Sequence, residues 1–221
     1  ALPGLAQDDP YADVDPTGAT VEFWHQHSGA REEELLKIVE EFNEMNEYGI
    51  TVNASNQGGY GDIFQKMNLG LTAGGDELPE LVVAYQNQAA TYQLVEGLID
   101  INPLLQSPTW GIDEADFADF FAGFVNSDIN PSFDNQLLGF PPNRSMEVMY
   151  YNIDWLAEMA EAGVISFDGP PTTPEQFQEA ACAAVSNPYS GATGDVSTSV
   201  GYQLSFDASR FASFTFAFGG D

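Results

Sequence analysis

Positively charged residues are scarce in this sequence. It contains 5 Lys and Arg against 34 Asp and Glu, which gives a net charge of −29 at pH 7. Nucleic acids and anionic membrane surfaces bind proteins through clustered cations, because the attraction to phosphate is electrostatic. The composition therefore excludes both classes of partner and indicates an acidic, self-repelling surface suited to an extracellular or high-salt setting.

Cysteine and long apolar runs are also rare. Cys182 is the single cysteine, so no disulfide can form within the chain. It lies among alanines on a predicted helix, where we expect a buried and unreactive thiol. No apolar run approaches the roughly 20 residues of a membrane-spanning helix. The opening ALPGLAQ is compatible with the remainder of an export or lipoprotein signal, so we expect a peripheral or lipid-anchored protein that does not span a membrane.

Sequence motifs of catalysis and metal binding are missing. There is no Gly-rich phosphate loop, no G-x-S-x-G elbow and no Cys/His nucleophile arrangement. His25 and His27 lack an identifiable third zinc ligand, and the aspartates near the N-terminus match no calcium loop. With 34 acids, a glycosidase-like carboxylate pair is expected by chance. We therefore predict no catalysis, no metal and no cofactor.

The sequence has a regular alternation of strands and helices in its first hundred residues. Strands are predicted at 20–24, 50–54 and 81–84, with apolar residues at helical spacing between them. A β-α-β-α-β order implies a parallel sheet. Ligands bind beyond the carboxyl ends of such strands, so we expect Trp24-His25, the Gly58–Tyr60 loop and Tyr85-Gln86 to cluster on one rim.

The stretch Leu137–Asn152, LLGFPPNRSMEVMYYN, holds two predicted strands separated by a proline pair. Prolines remove backbone donors, so a regular sheet cannot continue through Pro141-Pro142. Two interpretations remain open at this point: a crossover between two lobes, or a β-hairpin in one domain with an edge proline. In the first, Asn143–Ser145 lies at the mouth of a cleft. Asn152 is a suitable N-cap for the helix that follows.

Further elements are predicted from local signals. Ser28 can cap the first helix, and Gly74-Gly75 closes the second, whose apolar stripe runs from Tyr60 to Leu71. Helices are also predicted near 114–121, at 153–162 and at 174–185, and strands at 137–140, 147–151 and 200–205.

Several segments together resemble a known family. Along the chain these segments are FWHQHSG, Gly58-Gly59-Tyr60, Ala84-Tyr85-Gln86, FPPNRSMEVMYYNIDWL followed by GPPTTPEQFQEAA, and Phe211–Gly220. Their order matches that found in family 1 extracellular solute-binding proteins of ABC importers, and they most resemble the glycerol-3-phosphate-binding subgroup. The resemblance covers about residues 20–221. Pro174 stands where the family usually has Trp, and the chain stops inside the second lobe, so the resemblance implies an N-terminal fragment.

The resemblance implies a fold and a domain organisation. The expected fold class is α/β and periplasmic-binding-protein-like, with a parallel-sheet N-terminal lobe and the beginning of a second, incomplete α/β lobe. The expected segments are a flexible acidic tether at 1–18, the N-terminal lobe at 19–142, a hinge crossover at 143–152 and a partial C-terminal lobe at 153–221.

The candidate ligand-binding residues combine aromatic faces with amides and hydroxyls, which suit the apolar side and polar rim of a sugar. They are Trp24, His25, Tyr60, Tyr85, Gln86, Asn143, Arg144 and Ser145. By resemblance, Tyr60, Gln86 and Ser145 match ligand-contacting positions of the glycerol-3-phosphate subgroup. That subgroup has a glutamate where this chain has Gln86, so identical ligand specificity is not implied.

The resemblance also implies a function. It predicts the substrate-binding component of an ABC import system, which captures a sugar or polyol in an interlobe cleft and delivers it to a membrane permease. The predicted location is extracellular or periplasmic, with lipid anchoring at the cell surface. We expect an uncharged ligand, because Arg144 is the one cation predicted near the cleft. Two alternatives stay open: a cell-surface structural component built on a solute-binding lobe, and an exported carbohydrate-active enzyme.

Overall fold

The chain forms two compact units in the computed structural model, Ala1–Arg144 and Ser145–Asp221. The structure describes residues 9–141, 143–145, 147–194, 199–203 and 208–220.

The first unit is built on a three-stranded parallel sheet. Its strands are β1 (Thr20–His25), β2 (Thr51–Asn56) and β3 (Leu81–Val82). The order is β2-β1-β3 and both pairings are parallel, which confirms the predicted arrangement. β3 is shorter than the predicted 81–84: only Val83 N continues its bonding to β1, by donating to the Trp24 carbonyl, and residues 83–85 lead into the next helix. The carboxyl ends of all three strands thus lie at one edge.

Three helices connect and follow these strands: α1 (Ala30–Met45), α2 (Tyr60–Ala73) and α3 (Gln86–Gln93). The sequence suggested Ser28 as the cap of α1, but the cap is Gly29, with φ of 58° and no side-chain bond. α2 ends as predicted at Gly74, which takes the left-handed conformation.

The core of this unit lies between α2, α3 and the sheet. Ile63 and Met67, four residues apart on α2, are buried with Tyr92 of α3. Trp24 of β1 packs against this cluster with part of its surface exposed. The pairing of the strands and the packing of α2 and α3 against them together determine the positions of the residues that follow β2 and β3.

The remainder of the first unit has short elements. They are α4 (Asn102–Leu105), α5 (Glu114–Phe117), α6 (Ala122–Asn126), β4 (Ile129–Asn130) and β5 (Gln136–Leu137). β4 and β5 pair antiparallel. Of the predicted strand LLGF, only Leu137 belongs to a strand in the structure, β5. The helix predicted near 114–121 ends at Phe117.

Residues just after the N-terminus contact this unit. The Ser107 hydroxyl donates to Asp9 at 2.8 Å, and the Trp110 indole N–H donates to the Tyr11 carbonyl at 2.8 Å. The prediction of a free tether at 1–18 is thus corrected for Asp9 and Tyr11. These two partly buried hydrogen bonds hold the residues in place, which composition alone did not reveal.

The second unit contains α7 (Ile153–Glu161), α8 (Pro174–Ser186) and α9 (Ala208–Ala217). Asn152 caps α7 as predicted, accepting from Trp155 N at 3.0 Å. The described residues 147–151 and 199–203 form no strand, so the strand predicted at 147–151 is wrong. Of the strand predicted at 200–205, residues 204 and 205 lie outside the described residues.

The buried cluster of this unit explains why the expectation for Cys182 was wrong. Ala180 and Ala184 of α8 pack against Leu156 and Met159 of α7. Cys182 is two residues from each alanine, which is about 200° around the helix. Its thiol is therefore exposed.

Candidate functional site

Two tyrosines stack at the carboxyl edge of the parallel sheet. Tyr60 opens α2 just after β2, and Tyr85 is the N-cap of α3 just after β3. Their ring centroids are 4.2 Å apart, with 30° between the ring planes. Tyr85 is 50% exposed. The pair therefore presents an aromatic surface at the edge where parallel sheets bind ligands.

The backbone around the two tyrosines is fixed by local polar contacts. Gly58 has a φ of +94°, which favours glycine, and the Gly59 N–H donates to the Asp62 carboxylate at 2.8 Å. The buried Gln88 amide accepts from Tyr85 N at 2.9 Å and donates to the Tyr60 carbonyl at 3.1 Å. A single side chain thus ties the starts of α2 and α3 together.

The Tyr60 hydroxyl also has a fixed partner. It accepts a hydrogen bond from the Gln26 amide at 2.9 Å. Burial and the neighbouring Tyr85 raise the pKa of Tyr60, while Arg144 acts in the opposite direction. The hydroxyl is therefore neutral at physiological pH and lies within the electrostatic reach of Arg144.

Arg144 is held by four groups of the first unit. It forms an ion pair with Asp128, in which the side chains are 19% and 11% exposed respectively. Its Nη2 donates to Ser127 Oγ at 3.3 Å. With the Gln86 amide oxygen turned toward the guanidinium, Nη1 and Nη2 donate to it at 3.2 and 3.1 Å. Nη2 also lies 3.5 Å from the Phe124 carbonyl.

The pKa of Asp128, the carboxylate of this ion pair, is shifted by its surroundings. Burial raises the pKa of Asp128, and the Arg144 guanidinium opposes that rise by its charge and its hydrogen bond. Because a buried carboxylate is costly to charge without a partner, Asp128 depends on Arg144 for its ionised form.

Asn143 is exposed beside this ion pair. With Arg144 it lines an open groove of about 410 Å³ whose other walls include Phe120, Phe121 and Phe124. The lining thus combines apolar side chains with the polar groups of Asp119, Asn143 and Arg144. Sequence reasoning missed the phenylalanines, because they lie on or beside α6, a helix of five residues that is too short to show a helical period.

His25 and Trp24 lie away from the exposed aromatic surface. His25 is 0% exposed, and neither ring nitrogen has a hydrogen-bond partner among the described residues. Its predicted contact with a ligand stays a prediction. Trp24 belongs to the core beside Ile63 and Met67. Successive residues of a strand point to opposite faces of the sheet, so His25 lies on the face opposite to Trp24.

Ser145 is exposed and is the first residue of the second unit. Its predicted position opposite Tyr60 stays a prediction. Among residues 9–220, apart from those the structure leaves undescribed, no group of three His, Cys, Asp or Glu is placed to hold a metal ion. In that same part of the chain, no helix has the length and apolarity needed to cross a membrane.

Comparison with known proteins gives consistent results. A family model described as "Bacterial extracellular solute-binding protein" matches residues 37–221. The sequence is 27% identical over 163 residues to the sn-glycerol-3-phosphate-binding periplasmic protein UgpB of Rhizobium meliloti (strain 1021). That match covers 72% of this chain and 35% of the relative.

A solved structure has a similar fold. The crystal structure of the cyclic alpha-maltosyl-1,6-maltose binding protein from Arthrobacter globiformis superposes with a TM-score of 0.50 at 18% identity, covering 75% of this chain and 37% of that one. At that identity the likeness supports the α/β fold alone. The chain spans little more than a third of the length of either protein.

Proposed function

From the premise that this chain belongs to the family of bacterial extracellular solute-binding proteins, we propose that it is part of the substrate-binding component of an ABC import system. Its ligand is an uncharged sugar or polyol. Both similar proteins are named as binding proteins, one for sn-glycerol 3-phosphate and one for a maltose-derived sugar.

The observation that carries the proposal is the stacked pair of Tyr60 and Tyr85 beside Arg144, whose charge is balanced by Asp128. An aromatic face covers the apolar C–H side of a sugar ring, and amides or guanidinium groups bond its hydroxyls. Tyr85 is half exposed, so its ring is accessible to a ligand. Gln86 and Arg144 provide polar groups next to the rings.

The preference for an uncharged ligand follows from the partners of Arg144. A phosphate or carboxylate ligand would have to compete with Asp128 for the guanidinium. The amide of Gln86 carries no charge and already accepts from the same guanidinium. Neutral hydroxyls can add to this arrangement without displacing an ion pair, because they both donate and accept hydrogen bonds.

Binding without catalysis fits the same geometry. A glycosidase requires two carboxylates that are free to transfer protons or attack the sugar. Asp128 is held by Arg144 instead, and Asp119 is the one carboxylate among the described residues that line the groove. We propose that the chain delivers its ligand to a membrane permease without altering it.

The proposed location and organisation follow from the family. We propose that the protein acts outside the cytoplasmic membrane, in a periplasm or on a cell surface to which a lipid holds it. Residues 19–142 then form the N-terminal lobe, 153–221 begin the C-terminal lobe, and 143–152 connect them. A permease specific for the same sugar or polyol is the proposed partner.

Isothermal titration calorimetry on the full-length protein tests this function. The ligands are maltose, glycerol and related neutral sugars and polyols, with sn-glycerol 3-phosphate as the charged comparison. We expect saturable binding of at least one neutral ligand. Tight binding of glycerol 3-phosphate together with no response to any neutral compound would contradict the proposal.

A further inference from the structure

Arg144 and Asp128 form an ion pair beside the stacked tyrosines, and the two residues differ in what they offer a ligand. Arg144 lines the open groove and is 19% exposed. Asp128 is 11% exposed and lies behind it, one residue after Ser127, whose hydroxyl accepts from the same guanidinium. Arg144 thus lines the groove, whereas Asp128, its counter-ion, does not.

We propose that Asp128 is a specificity-determining residue, which acts as an internal counter-ion and prevents Arg144 from binding phosphate or carboxylate groups of a ligand. This inference rests on the proposed function, since it concerns the ligand class of the same site. Asp128 is a positioning residue in this scheme, because it acts through Arg144 and not by touching the ligand.

The argument begins with the strength of competing anions. A guanidinium binds carboxylate and phosphate through the same forked N–H groups, and such charge-assisted bonds are stronger than neutral ones. Asp128 is held by the protein fold, so it competes without losing translational freedom. An incoming phosphate must lose that freedom and its hydration. The intramolecular carboxylate therefore wins while it is present.

The second step concerns what happens when the carboxylate is removed. Breaking a buried ion pair on one side leaves an uncompensated charge, which is more costly than never having had the pair. In Asp128→Asn, the amide keeps the size of the side chain but cannot neutralise Arg144. The remaining acceptors, Gln86, Ser127 and the Phe124 carbonyl, are all uncharged. An anion from solution then binds where the wild type rejects it.

The test measures inorganic phosphate binding to the full-length protein by calorimetry and by thermal melts, with chloride added to hold ionic strength constant. We expect Asp128→Asn to bind phosphate at least tenfold more tightly than wild type and to melt at a higher temperature in phosphate than in chloride. The matched control is Asp116→Asn, which removes the same charge from an exposed position on α5. That variant should behave like wild type.

A second variant separates charge from general damage. In Arg144→Gln/Asp128→Asn the unpaired cation is gone, so the response to phosphate should disappear. If Asp128→Asn does not fold in chloride, recovery of folding in phosphate, together with normal folding of the double variant, supports the proposal. A folded Asp128→Asn that binds phosphate no better than the control, or an unfolded one that phosphate fails to rescue, overturns it.

The outcomes also distinguish this inference from the proposed function. If wild type itself binds phosphate tightly, the assignment of an uncharged ligand fails, and so does the role of Asp128. If wild type binds a neutral sugar or polyol and Asp128→Asn gains nothing for phosphate, only the role of Asp128 fails.

Discussion

At the residue scale, His25 is the most unusual side chain of the first unit. It is fully buried, and its ring nitrogens have no hydrogen-bond partner among the described residues. Burial lowers its pKa from 6.5 and the charge of His27 adds to that shift, while the charge of Glu32 and the backbone of His27 oppose it. The unfolded chain therefore binds a proton more readily than the folded chain. The contribution of His25 to stability is therefore fully present above about pH 6.5 and is lost as the pH falls below that value.

We predict that replacing His25 by Phe flattens this dependence. Phe keeps a planar ring but cannot be protonated, and it removes two buried polar atoms that lack partners. Urea unfolding between pH 5 and 7.5 should show a slope of up to about 1.4 kcal/mol per pH unit in wild type, and a smaller slope in His25→Phe. His27→Gln, at a partly exposed position, is the control and should keep most of the wild-type slope.

The stacked tyrosines give the second prediction. Tyr85→Ala removes a half-exposed ring, so sugar or polyol binding should weaken by about 1 kcal/mol, roughly fivefold in Kd, with little change in melting temperature. Tyr85→Phe keeps the stacking surface and should bind nearly as well as wild type. Calorimetry with the cognate neutral ligand measures both, and equal affinities for Ala and Phe would remove Tyr85 from the site.

Tyr60 is predicted to have a mixed effect. Tyr60→Ala should weaken binding by one to a few kcal/mol, as expected for a central aromatic contact. It also leaves the Gln26 amide without its hydroxyl acceptor and so costs some stability. Tyr60→Phe separates the two effects, because it loses only the hydroxyl. A melting temperature that collapses while affinity is unchanged would make Tyr60 a core residue.

Sequence reasoning located backbone positions better than side-chain directions. Tyr60, Tyr85, Gln86 and Arg144 were all singled out, and the structure brings them together within one unit. Asp128, which completes the ion pair, was missed, because a lone aspartate on an irregular segment gives no periodic signal. Trp24 and His25 lie at a strand end as expected, but strand alternation sends their side chains to opposite faces of the sheet, where Trp24 packs into the core and His25 is buried.

At the element scale, α2 offers a clean comparison of two glycines. An added Cβ would meet no atom within 4 Å at Gly61 or at Gly74. Their backbones differ, since Gly74 has a φ of +112° and ends the helix, whereas Gly61 lies within it. The steric cost is therefore absent at both positions, and only conformational preference separates them.

We predict opposite effects on stability for these two substitutions. Gly74→Ala forces a side chain into a backbone region that disfavours it and should cost about 1 kcal/mol or more. Gly61→Ala reduces the freedom of the unfolded chain and should stabilise by about 0.4–1 kcal/mol. Chemical denaturation of both variants beside wild type measures the difference. Equal effects would mean that α2 does not end in the left-handed conformation at Gly74.

The elements that sequence patterns predicted well are the periodic ones. α2 and α8 have apolar residues at regular spacing together with recognisable caps, and both are found close to their predicted bounds. The segment 147–151 has a strand-like composition, but its residues form no β-strand. Strand formation depends on a partner elsewhere in the chain, which local composition does not supply.

At the scale of the whole molecule, the order of motifs carried more information than any one motif. The segments that suggested a solute-binding protein are individually weak, yet the matched family model spans residues 37–221. The parallel pairing of β1 with β2 and β3 also followed from element order. The contacts of Asp9 and Tyr11 with Ser107 and Trp110 did not, because they join residues almost a hundred positions apart.

The net charge of −29 governs the last prediction. So large a charge of one sign repels itself more strongly in the compact state than in the expanded one. Added salt shortens the screening length from about 10 Å at 0.1 M to about 3 Å at 1 M and weakens that repulsion. We therefore expect the melting temperature to rise by a few degrees with sodium chloride, and most steeply at low concentration. Choline chloride at equal ionic strength is the control, since screening does not depend on which cation is present. A rise with one cation and not the other would indicate specific cation binding, and a steady fall in both salts would show that self-repulsion does not limit the stability of this protein.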